Sequence, residues 1–228
     1  MFFKELFSVF KSDRPIDSAS KDFARMLALA QEMVLEASAV YWGRAYSPEE
    51  RTALYKKDVE VNKLQRRVRK QLVAHVTNTE CRHVAYAMLI MSLAKDVERI
   101  GDYAKNLVEL ADMQIDGLPD DENTQELAQI RDATEELVRS AADVFLESEE
   151  DAATELTIEG RNTAKRCDKL IGAVAEANYE GSTTVVLALG ARFYKRIGGH
   201  VLNLLSGVIM PLHKLDYFDD RLISETER

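Results

Sequence analysis

Residues 96–107 read DVERIGDYAKNL and residues 193–204 read FYKRIGGHVLNL. Arg99 aligns with Arg196, Ile100 with Ile197, Gly101 with Gly198, Asn106 with Asn203 and Leu107 with Leu204. Five identities in twelve positions mark an internal repeat, and a repeat constrains the fold more than any other feature of the chain. The apolar spacing around it is helical. Tyr86, Ile90, Leu93, Val97, Ile100, Ala104, Leu107 and Ala111 alternate steps of four and three, which makes a seam for antiparallel neighbours. Tyr194, Ile197, Val201, Leu204 and Val208 repeat that seam. A mid-helix glycine costs about 1 kcal/mol against alanine. Gly101 and Gly198 are therefore expected to mark close helix approach.

The helical period extends over nearly the whole chain. A first helix spans about 17–45. Ser47, Pro48 and Glu50 supply an N-cap, a first-turn proline and a capping box for a second, ending near 76. Thr77 and Glu80 form a similar pattern opening a third, which continues to about 114. Gly117 and Pro119 then break the chain. A fourth helix follows over 121–147, and Ser148 with Asp151 is expected to cap a fifth reaching about 178. Gly181 and Ser182 open a sixth, ending near 210 beside Pro211. The expected fold is all-α, two pseudo-repeated three-helix bundles. The first covers 1–116 with an amphipathic N-terminal segment, and the second covers 117–228 with a polar C-terminal tail.

With 30 Lys and Arg against 39 Asp and Glu, the chain carries a net charge of −9, which sets nucleic acid aside as a main partner. The basic run from Lys63 to Lys70 reads as a solvated helix face. Cys81 and Cys167 form no disulfide framework and no metal pattern, which fits a reducing compartment. The apolar stretches 85–94 and 201–212 fall short of the roughly 20 residues of a membrane span. Phe3, Leu6, Phe7 and Phe10 share a helical face. That face is expected to pack on the body of the protein, with peripheral membrane contact as the alternative.

Glu98 and Asp102 stand four apart on the third helix, and Asp58 and Asn62 stand four apart on the second. Like charges at that spacing repel by roughly 0.2–0.5 kcal/mol, and a cation between them would reverse the sign. If the two helices are neighbours, four oxygen ligands converge, with Asn106 one turn further on. Lys95, Arg99 and Lys105 offer the competing reading, a lattice of ion pairs, which spacing alone favours. Glu80-Cys81-Arg82-His83 matches half of a di-iron signature. The other histidines, His75, His200 and His213, lack an acid three residues earlier, so a di-iron enzyme is not expected. No phosphate-cradling Walker sequence and no nucleophile–base set stands out.

Residues 94–111, AKDVERIGDYAKNLVELA, resemble the signature of the PhoU-like family of phosphate-transport and phosphate-signalling regulators. The matching residues are Glu98, Arg99, Ile100, Gly101, Asp102 and Asn106. The resemblance spans about 17–212 and implies two similar three-helix bundles. It implies a cytoplasmic, non-enzymatic negative regulator of phosphate uptake and phosphate-starvation signalling. The implied partners are a membrane phosphate transporter through its ATP-binding subunit, a sensor kinase, and a second copy of the chain as a homodimer. It further implies iron or zinc at Glu98, Asp102, Asp58 and Asn62. In the second half Lys195 replaces Glu98, Gly199 replaces Asp102, and Ala164 stands four residues before Asp168, so no metal is expected there. A helical accessory protein for another carrier, of phosphate or metal ions, is the alternative function.

Overall fold

The computed structural model describes residues 15–78, 83–114 and 117–216. Six helices follow in order: α1 Pro15–Tyr41, α2 Pro48–Asn78, α3 Val84–Ala111, α4 Glu122–Glu147, α5 Glu150–Glu176 and α6 Gly181–Ile209. A short 3-10 turn, Leu212–Lys214, closes the described chain. The described residues contain no strand, and the fold is all-α. The aromatic N-terminal segment, Glu80 with Cys81, and Tyr217 with Phe218 lie outside the described residues.

Local chemistry explains most of the boundaries. Ser47 and Glu50 form the reciprocal capping box: Glu50 Oε2 accepts from Ser47 N at 2.8 Å, and Ser47 Oγ accepts from Glu50 N at 3.1 Å. Asp121 caps α4 by accepting from Thr124 N at 2.9 Å. Gly117 takes φ +79 in the connection between the halves, a left-handed conformation that suits glycine. Two expected caps are different. Thr77 is inside α2, where its hydroxyl donates back to the Val73 carbonyl at 2.9 Å. Ser148 is the left-handed C-cap of α4, with φ 56, rather than the N-cap of α5. The backbone group it satisfies belongs to the preceding helix, since its N–H reaches Phe145 O. Glu149 stands at the N-cap of α5, without a side-chain cap bond.

α1 packs against α2 and α3, and α6 packs against α4 and α5. The halves meet through α3 on α6 and α1 on α4. The repeated seams form these contacts: Tyr86, Ile90, Val97, Ala104 and Leu107 of α3 and Tyr194, Ile197, Leu204 and Val208 of α6 are all buried. One continuous apolar core therefore runs through both bundles.

The junction is polar as well. Ser38 donates to Glu135 Oε1 at 2.6 Å and shares a 2.8 Å hydrogen bond with the Tyr194 hydroxyl. Trp42 Nε1 donates to that hydroxyl at 3.0 Å, and Tyr41 donates to the Val186 carbonyl at 3.0 Å. Burial drives the Tyr41 and Tyr194 phenols well above the ordinary tyrosine range, so both stay neutral donors.

The two motif glycines do not make the close approaches expected of them. A Cβ at Gly101 would only touch Met33, at 3.4 Å, and one at Gly198 would stand 3.9 Å from Leu137. The tightest place is Gly190, where a Cβ would collide with the buried ring and hydroxyl of Tyr41, and Gly160 and Gly207 are also close-packed.

Candidate functional site

α2 and α3 lie side by side, and Asp58 of α2 reaches Asp102 of α3 through Lys105. The heptad-like seam sets this placement. Val61 and Leu64 are buried on α2, and Val97 and Ile100 are buried on α3, which leaves the acids beside the seam. They are less exposed than their position predicts: Asp58 and Glu98 are each only 8% exposed.

The cation among them is a side chain. Lys105 Nζ lies 2.9 Å from Asp58 Oδ2 and 3.1 Å from Asp102 Oδ1. Arg99 Nη1 donates to the other Asp102 oxygen at 3.0 Å. Lys95 Nζ holds Glu98 Oε2 at 2.6 Å. Asn62 turns its amide to the Asp58 carbonyl at 3.1 Å, along its own helix. Burial pulls the Lys105 ammonium down, but its hydrogen bonds to Asp58 and Asp102 outweigh that and hold it above the ordinary lysine range.

An iron or zinc ion needs open, unpaired ligands at 2.0–2.2 Å. The described residues contain no group of three or more His, Cys, Asp or Glu that could hold a metal. Both oxygens of Asp102 and one of Asp58 are already in ion pairs, with an ammonium at the bridging position. As arranged, these four residues do not fit an iron or zinc site. Glu98 and Asp102 join an ion-pair lattice along α3, which reaches α2 through the pair of Lys105 with Asp58.

Residues 23–111 match the family profile described as PhoU domain. Over that stretch the chain is similar to a PhoU domain. The whole fold also resembles PhoU structures. A crystal structure of PhoU from Pseudomonas aeruginosa superposes with a TM-score of 0.78 at 17% identity, covering 87% of this chain and 97% of that one. The phosphate transport system regulatory protein PhoU from Streptococcus pneumoniae gives 0.71 at 12% identity, covering 85% and 92%. No curated protein sequence matches the chain. The PhoU profile match ends with α3, while the likeness in fold to PhoU structures extends over both bundles. No helix among the described residues is long and apolar enough to cross a membrane.

A second feature of this PhoU-like chain escaped the sequence reading. A groove of about 490 Å³ lies between α5 and α6, lined by Arg161, Lys165, Arg192, Lys195 and Arg196. Sequence comparison marks Lys195 and Gly199 only as losses from the acidic motif. The usable signal is the spacing of the cations, which repeat every three or four residues on both helices of a chain that is acidic overall.

Proposed function

We propose that this protein is a negative regulator of phosphate uptake and of phosphate-starvation signalling, acting by contact rather than catalysis. The observation that carries the reading is the PhoU domain over residues 23–111, set in a fold that follows PhoU structures over most of the chain. One of those structures is a phosphate transport system regulatory protein. The partners on this reading are the ATP-binding subunit of a membrane phosphate transporter and a sensor kinase. The protein works in the cytoplasm as a homodimer, at the inner face of the membrane.

Rigid helix faces suit such a role, because docking on a preformed surface avoids the entropy of ordering it. The outer face of α2 carries Val59 and Val73 exposed among charged residues, the mixed composition of a transient interface. The ion pair of Asp58 with Lys105 joins α2 to α3 behind that face. Iron or zinc enters this proposal only as a competitor that displaces Lys105.

Deletion of the gene tests the reading. With phosphate plentiful, loss of the protein should raise alkaline phosphatase expression and phosphate uptake, and the intact chain should restore both. Unchanged phosphate physiology would sink the regulator reading and favour an accessory role with another carrier.

A further inference from the structure

The α5–α6 groove is a concentration of positive charge on an acidic protein. Arg161 and Lys165 come from α5, Arg192, Lys195 and Arg196 come from α6, and Asp168 is the one carboxylate in the lining. Steps of three and four place each set on a single helix face. Asp168 is engaged by Lys195, whose Nζ donates to its two oxygens at 2.6 and 2.5 Å. No carboxylate among the described residues pairs with Lys165 or Arg192. Arg196 donates from Nε to the Tyr103 hydroxyl at 3.1 Å and lies over that ring at 5.7 Å, which fixes its direction without neutralising it. His200 also lines the groove. Its Nδ1 is held by Asp96 at 2.9 Å, and its Nε2 is buried without a hydrogen-bond partner.

The first bundle shows how such a groove arises. The buried positions Leu54, Val61, Leu64 and Val68 of α2 correspond in spacing to Gly160, Cys167, Leu170 and Val174 of α5. That register sets Ala164 where α2 has Asp58. The repeat between α3 and α6 sets Lys195 at the place of Glu98, Gly199 at that of Asp102, and Leu202 at that of Lys105. Two carboxylates become a methyl and a hydrogen, and a third becomes an ammonium. Asp168 takes the place of Asn62 but is engaged by Lys195, so the groove is opened and its balance of charge becomes basic. A Cβ built on Gly199 meets nothing within 4 Å, so the space before it is free.

We propose that this groove binds a free small molecule bearing two or more linked phosphoryl groups. Guanidinium forks and ammonium groups match phosphate oxygens, and a partly enclosed basic cleft concentrates anions from solution. The volume falls within the range of small-molecule sites. The cations stand on both walls, spread over about one helical turn of roughly 5.4 Å on each. Cations set on two walls favour a chain of phosphoryl groups over a single phosphate. This inference does not depend on the regulator reading.

The test is titration calorimetry of the full chain with tripolyphosphate, ATP, orthophosphate and sulfate, at an ionic strength of about 0.15 M. Tripolyphosphate should bind one to one, at least about tenfold more tightly than orthophosphate or sulfate. Lys165→Glu combined with Arg192→Glu should weaken it by about tenfold or more. Lys56→Glu combined with Lys63→Glu, the same charge change on α2, should leave it unaltered. Gly199→Asp, which restores the carboxylate of the first bundle, should also weaken it, with thermal melts confirming that each variant is folded. ATP binding equal to tripolyphosphate assigns recognition to the phosphate chain, and tighter ATP binding makes a nucleotide the source. Absence of tripolyphosphate binding, equal affinity for orthophosphate, or equal losses in the two charge-reversal pairs would overturn the proposal.

Discussion

Lys105 Nζ on α3 lies 2.9 Å from Asp58 Oδ2 on α2, with only 19% and 12% of the two side chains exposed. An ion pair this sheltered has little water to replace a lost partner. Lys105→Met should therefore leave Asp58 and Asp102 repelling each other and destabilise the protein by about 1–3 kcal/mol in urea unfolding. Removal of metal with a chelator should leave the melting temperature of the unmodified protein where it was. A chelator-induced fall would show that a metal, rather than Lys105, joins the two helices.

Asp96 ties the bundles together. Its Oδ1 accepts from Asn203 Nδ2 at 2.8 Å and meets His200 Nδ1 at 2.9 Å, both on α6. Asp96→Ala removes the acceptor and leaves two donors facing a mostly buried gap. The expected cost is about 1–3 kcal/mol. Hydrogen exchange should show it as faster opening along the α3–α6 contact, and unchanged exchange there would refute the linkage.

The glycines separate in the opposite order from their places in the motif. Gly101→Ala should be neutral or stabilising by up to about 1 kcal/mol, because the new methyl only touches Met33 and the helix gains propensity. Gly190→Ala should cost about 1–3 kcal/mol, because the Tyr41 ring is rigid, fully buried and bonded to the Val186 carbonyl. Thermal melts of the two variants decide the point.

Burial, with Asp168 adding its negative charge, pushes the Cys167 thiol up to about 12 from an ordinary value of 9.0. The thiol should resist alkylation in the native protein at neutral pH and react on unfolding. The sign of the stability effect follows from the raised value. Below about pH 9 the thiol is protonated in both states and nothing changes with pH. Above it the unfolded chain ionises first, so folding stability falls as pH rises towards 12. Cys167→Ala should flatten that part of the stability profile.

The repeat and the six helices are legible in the sequence, because each rests on local or periodic chemistry. The alternating seam of Tyr86 to Leu107 needs only the helical period, and the Ser47–Glu50 box needs only its spacing. Ser148 shows where this runs out. A serine can serve either the helix before it or the one after it, and backbone geometry alone chose the left-handed C-cap. Gly101 and Gly198 show the same limit: their mid-helix cost is a local property, but the tightest collision, at Gly190, depends on where Tyr41 arrives from another helix.

The candidate site divides along the same line. The sequence by itself determined which residues are acidic or basic, and it placed Glu98 with Asp102 and Asp58 with Asn62 on helix faces. Only the tertiary structure decided that Lys105 lies between those acids, and that cations from α5 and α6 face each other across an open groove. The physical reason is range. Helix propensity and periodicity act over a few residues, whereas ion pairing and pocket shape depend on side chains that are far apart in the chain and are brought together only when the apolar seams of neighbouring helices pack.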